Sequence, residues 1–157
     1  MSIHGTFYEM PRDSGLPLIK PVCSHGRQIL DFCTWRGLLV LSGTLASAKP
    51  DGHFFRTADG QAGLWFGAID DLWRLGKPVG RGGPWHNTPV KAGEASDPYL
   101  MTGYDKKQIE LSHDADRTVT FTVEVDINHS EWKLYKTFIV AAGKSVSHVF
   151  PQGFQAH

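Results

Sequence analysis

Cysteine is scarce in this chain, with two residues, Cys23 and Cys33, among 157. Their spacing fits no zinc pattern, and no second pair exists to complete one. Two readings stay open. One is a pair of buried thiols, since free cysteine packs as a small hydrophobe. The other is a disulfide between neighbouring strands, which requires an oxidising compartment. Long apolar runs are also missing. The best, Leu38 to Leu41, is strand-sized, whereas a membrane helix needs ~20 apolar residues, so no membrane span is expected. The opening MSIHGTFYEM has no basic region followed by an apolar run, so it does not read as a signal peptide.

Charge of one sign is lacking as well. Sixteen Lys and Arg balance 16 Asp and Glu, for a net charge of +0. A nucleic-acid binder ordinarily carries a basic excess, so no nucleic acid is expected as partner. Helix signals are almost absent. No window of a dozen residues places apolar side chains at helical spacing behind a cap.

Strand punctuation is what the chain does have. Seventeen glycines and nine prolines are spread along a sequence that is 41% hydrophobic and 20% charged, the composition of a globular chain of short strands. Strands are expected at Gly5–Met10, Ile29–Trp35, Leu38–Ser42 and His53–Thr57, with turns at Arg36-Gly37, Pro50-Asp51-Gly52 and Asp59-Gly60. Gly63–Ile69 and Leu72–Leu75 read as a hairpin closed by Asp70-Asp71. Gly76–Pro89 (GKPVGRGGPWHNTP) reads as a long ordered loop and as the boundary between two halves, 1–87 and 88–157. In the second half, strands are expected at Tyr99–Tyr104, Gln108–Ser112, Thr118–Ile127 and Trp132–Val140, followed by Val146–Phe150. Val119, Phe121, Val123 and Val125 alternate with Thr120, Thr122 and Glu124, which predicts one face on a core and one in water. The alternation falters near Lys136, where a bulge is expected. The final GFQAH begins a further alternating strand, so the chain reads as the truncated end of a longer protein.

The stretches DFCTWRGLLVLSG, LWFGAIDDLWRLGKPVG, GGPW and SDPYLMTGYDKK resemble the last blades of a bacterial β-propeller protein, and FTVEVDINHSEWKLYKTFIVAAGKSVSHVFPQGFQAH is similar to a closing β segment of such proteins. The resemblance covers most of the chain. It implies an all-β fold of antiparallel sheets, with partial propeller blades followed by a β-sandwich-like segment. It also implies a parent chain that supplies the remaining blades, a secreted or periplasmic location and glycan-acting relatives. A propeller needs at least four blades of roughly 40–45 residues each, so this chain would hold only part of one.

Trp65, Trp73, Arg74, Arg81, Trp85 and His86 form the stretch best suited to a carbohydrate partner. Sugar rings stack on aromatic faces, and arginine grips a carboxylate in a fork. Trp65 and Trp73 sit on strand patterns and are expected in the core, while Trp85 follows Gly82-Gly83-Pro84 in the loop. Arg74, Arg81, Trp85 and Tyr104 are the expected substrate-binding residues, and His25 and His86 the expected proton-handling ones. His25 lies in the turn Cys23-Ser24-His25-Gly26-Arg27, where it can point into a cleft as a general base or sit as a surface-loop histidine. The eight histidines form no H-x-H or H-x-x-x-H pair, so neither a metal nor a cofactor is expected. Two functions from different classes remain: a glycan-acting enzyme, lyase or glycosidase, whose other catalytic residues lie upstream, and a non-catalytic β module that binds glycan or completes a scaffold.

Overall fold

The alternating runs form strands. In the computed structural model, which describes residues 1–12, 19–43 and 52–156, eleven strands build antiparallel sheets, none of them closed. Positions 50, 51 and 157, part of the expected Pro50-Asp51-Gly52 turn and of the terminal GFQAH, lie outside the described residues. The chain divides into two units, Met1–Gly80 and Arg81–His157.

The first unit holds two sheets. β1 (Ser2–Ile3), β2 (Thr6–Glu9) and β3 (Lys20–Ser24) form one, in the order β1-β2-β3. β4 (Asp31–Trp35), β5 (Leu38–Ser42), β6 (Phe54–Arg56) and β7 (Gly63–Gly67) form the other, in the order β4-β5-β7-β6. Arg36 and Gly37, at φ 50 and 81, close the β4–β5 hairpin in the left-handed conformation that matches strand twist. Phe7, Cys23, Leu39, Leu41, Phe54, Trp65 and Leu72 pack as one core that joins both sheets. Each large side chain buried this way contributes about 1.5–3 kcal/mol.

Leu72 reaches that core from a helical turn, not a strand. The hairpin expected over Gly63–Leu75 is instead strand β7 followed by a 3-10 helix, Ile69–Leu75. The reason lies in the acidic pair. Asp71 Oδ2 accepts the Ala68 N–H at 2.8 Å and Asp71 N donates to Ala68 O at 3.0 Å, which caps a helical turn. On that turn Trp73 is 65% exposed, so it is a surface residue where a core position was expected. Both cysteines are free thiols, Cys23 buried and Cys33 exposed, so neither the disulfide nor the pair of buried thiols describes them.

The second unit opens with 81–107, which contains no strand or helix. The strand expected at Tyr99–Tyr104 is therefore replaced by irregular backbone with a turn at Thr102-Gly103, where Gly103 takes φ 81. β8 (Gln108–Ser112) then pairs with β11 (Ser145–Val149), and β9 (Val119–Asp126) with β10 (Trp132–Val140). In β9 the predicted alternation holds: Thr120, Thr122 and Glu124 are exposed, Val125 is buried, and Val119, Phe121 and Val123 are half-buried. Across from it, Phe138 pairs with Phe121 and Val140 with Val119, and both β10 residues are buried. The register slips between Leu134 and Lys136, leaving Tyr135 as the extra residue of a bulge. Among the described residues after β11 no further strand begins. Phe154 N donates to Pro151 O at 3.1 Å, and this turn carries Ala156 to a buried position.

Candidate functional site

The loop that the composition singles out is ordered by short-range hydrogen bonds. Thr88 Oγ1 accepts the His86 N–H at 3.2 Å and lies 3.2 Å from the His86 carbonyl oxygen, to which its hydroxyl donates. Asn87 between them takes φ 52, a conformation asparagine tolerates better than most residues. Upstream, the backbone of Gly82 lies against Tyr99, so that a Cβ there would meet the phenol oxygen at 2.6 Å. Between these two fixed points Trp85 is 37% exposed, and Arg81 and His86 are exposed. The loop thus presents an indole face, a guanidinium and an imidazole within a few residues.

The other expected residues are placed differently. Tyr104 belongs to the same unit and is half-buried, with its carbonyl accepting a bond from Lys107 Nζ at 2.6 Å. His25 and Arg74 belong to the first unit. His25 does not open into a cleft. It is 5% exposed, its ring packs on Phe7 at 5.0 Å, and its backbone N donates to Gly5 O at 2.8 Å. Nδ1 accepts the Arg27 N–H at 3.2 Å and Nε2 lies 3.3 Å from Ser2 Oγ. Burial holds this imidazole below its ordinary pKa. Arg74 is on the surface, 3.7 Å from Asp71, and exposed pairs of this kind contribute little.

The structure also assembles a group that residue spacing did not reveal. Tyr135 Oη lies 2.9 Å from His148 Nε2, and both residues are half-buried. The bulge explains how they meet. Tyr135 and Phe138 are three residues apart and would face opposite sides of a regular strand. The extra residue turns Tyr135 to the side of Phe138, and both rings then reach His148, at 5.7 and 5.3 Å. Phe150 stacks on Tyr135 at 5.0 Å, and Phe154 meets it edge-on at 5.1 Å. Lys107, which reaches Phe154 from before β8, is 7% exposed and donates to the carbonyls of Tyr104 and Phe154, at 2.6 and 2.7 Å. Burial pushes its pKa down, with Asp105 opposing.

Among the described residues, no cluster of three or more His, Cys, Asp or Glu is placed to hold a metal ion. No described helix is long and apolar enough to cross a membrane. No protein family, curated protein or solved structure matches the chain.

Proposed function

We propose that this chain is a non-catalytic β module that binds carbohydrate, with Trp85 as the stacking surface and Arg81 as the contact for an acidic sugar. The observation that carries the reading is tryptophan exposure. Trp35, Trp73, Trp85 and Trp132 are 53, 65, 37 and 47% exposed, leaving only Trp65 of the five in a core. Tryptophan is ordinarily highly buried, and an open indole face is the surface on which a sugar ring stacks. Trp85 leads because it directly precedes the hydrogen-bonded His86–Thr88 segment, and a residue held on ordered backbone loses less freedom on binding. The test is calorimetric titration of the chain with neutral and uronate oligosaccharides. Heat of binding that Trp85→Ala removes for both classes supports the module. If no oligosaccharide binds, the reading fails.

A second reading is an eliminative enzyme acting on uronates within a propeller-type parent chain. One observation favours it: the Tyr135–His148 hydrogen bond joins a proton donor to a base at 2.9 Å. Incubation with a polyuronate, followed by ultraviolet absorbance of the unsaturated product, separates the two. Product that Tyr135→Phe abolishes supports the enzyme.

A further inference from the structure

Strand β4 runs along an open edge of the four-stranded sheet, and all five of its residues are exposed. Among the described residues its only strand partner is β5. The tight turn decides which backbone groups stay free. In a two-residue hairpin the flanking residues, here Trp35 and Leu38, exchange both hydrogen bonds, and the pattern alternates from there. Cys33 and Asp31 then also bond toward β5, and the N–H and C=O of Phe32 and Thr34 point outward. The same alternation places Phe66 N on the far side of β7, where it donates to His53 O at 2.8 Å. Proteins blunt open edges with lysine, proline or bulges. β4 has none of these. Its one charge is Asp31, whose Oδ1 accepts the outward Phe32 N–H at 2.8 Å.

We propose that β4 is a self-association edge, on which two copies of this chain pair antiparallel about a two-fold axis beside Cys33. The inference is independent of the carbohydrate reading. Three registers let outward groups meet outward groups, and only the one centred on Cys33 uses Phe32 and Thr34 of both strands. In that register Phe32 of each copy exchanges hydrogen bonds with Thr34 of the other, and Cys33 meets its counterpart at a non-bonded position, where Cα atoms are about 4.5 Å apart. Charge complementarity selects the same register. The Arg36 guanidinium lies over the Trp35 ring at 4.9 Å, and Asp31 of one copy falls opposite Trp35 of the other. Each Asp31 therefore exchanges its local bond for a cation on the other copy, twice per pair by symmetry. The two sheets merge into one of eight strands.

Cys33 reports on this pairing, since Cys23 is buried. Diamide removes two thiol hydrogens, is itself reduced to the hydrazine, and leaves one S–S bond between two copies of Cys33. Crosslinking is expected in the full chain and absent in Cys33→Ser. Thr34→Pro deletes an outward N–H and no bond to β5, and should slow crosslinking about tenfold or more, equivalent to ~1.4 kcal/mol of association. In case that variant misfolds, Asp31→Arg should slow crosslinking by setting like charges together, and Asp31→Arg with Arg36→Asp should restore it. Aspartate is tolerated at the positive φ of position 36. Equal rates in the parent and Thr34→Pro, or failure of the double exchange to restore the rate, would overturn the proposal. So would a reduced chain that sediments as a monomer up to about 1 mM.

Discussion

The indole of Trp65 lies across Gly67, two residues further along β7 and on the same face. A Cβ on Gly67 would stand 2.7 Å from Trp65 Cζ2 and 2.9 Å from Cζ3. Gly63, at the other end of the strand, makes the same room for Phe54, whose Cε2 would be 3.0 Å from a Cβ. The two rings are 1 and 8% exposed, so neither has open space to move into. Gly67→Ala is expected to overpack this core and cost about 1–3 kcal/mol, despite the entropy an alanine recovers in a strand. Gly83→Ala is the control: its Cβ would come no closer than 3.5 Å to the Trp85 carbonyl oxygen, and the change should be neutral or stabilise by about 0.4–1 kcal/mol. Urea unfolding of both variants measures the difference, and equal midpoints would refute the close packing of Trp65 on Gly67.

Tyr135→Phe keeps the ring packed on Phe150 and Phe154 but removes the hydroxyl that meets His148. The expected cost is about 0.5–1.5 kcal/mol for one lost hydrogen bond. Tyr135→Ala removes the ring too and should cost more, toward ~3 kcal/mol because the site is only half-buried. Melting by near-ultraviolet circular dichroism ranks them. If the phenylalanine variant melts with the parent, the Tyr135–His148 bond does not contribute to stability.

Period-two alternation made β9, β10 and β11 legible, because one-sided burial writes itself into a strand, and the β4–β5 hairpin was legible from the Arg36-Gly37 turn before the apolar run Leu38–Ser42. The bulge was legible too, as the break in alternation near Lys136, but its consequence was not. Bringing Tyr135 onto His148 requires knowing that β11 lies within reach of β10. Gly63 and Gly67 were placed in a strand, as they are, but the room they give two rings was not legible, because it depends on where Phe54 and Trp65 pack. Asp70-Asp71 fits either a turn or a helix start, and the cap on Ala68 chose the second. Tyr99–Tyr104 has strand-like residues, yet Tyr99 is spent on Gly82 and Tyr104 O on Lys107. Among the candidate residues, the exposure of Trp85 followed from its Gly-Gly-Pro setting. The burial of His25 did not, because it depends on Phe7, a strand away.

His25 makes stability depend on pH. Its folded pKa is held below the ordinary 6.5, so between the two values the unfolded chain binds more protons than the folded one. Stability therefore rises with pH through that window and falls on acidification from 6.5 down to the folded value. Geometry agrees, since a bare Nδ1 is needed to accept the Arg27 N–H. His25→Asn supplies an oxygen acceptor that does not titrate. The parent should lose stability as the pH falls below the ordinary 6.5, and the variant should lose less. Parallel pH profiles for the two would assign the loss to other groups.

Arg81→Lys tests which sugar the loop prefers. Arginine is exposed here on backbone constrained by the Gly82–Tyr99 approach, so its fork is presented and not folded into the unit. A guanidinium binds a uronate carboxylate through two parallel N–H bonds, whereas an ammonium offers a point charge of the same sign. Replacing one by the other keeps the Coulomb attraction and loses the second, geometrically fixed bond, an effect of roughly 1 kcal/mol or about a fivefold change in Kd. The loss should appear for uronate oligosaccharides and not for neutral ones, whose affinity rests on Trp85. Arg81→Gln, which removes the charge as well, should weaken the uronate further. Calorimetry on the same panel reads all three proteins. If Arg81→Lys weakens neutral and acidic sugars alike, the arginine shapes the loop and does not contact the carboxylate. If neither variant alters uronate affinity while Trp85→Ala does, the module binds sugar by stacking alone and has no acidic preference.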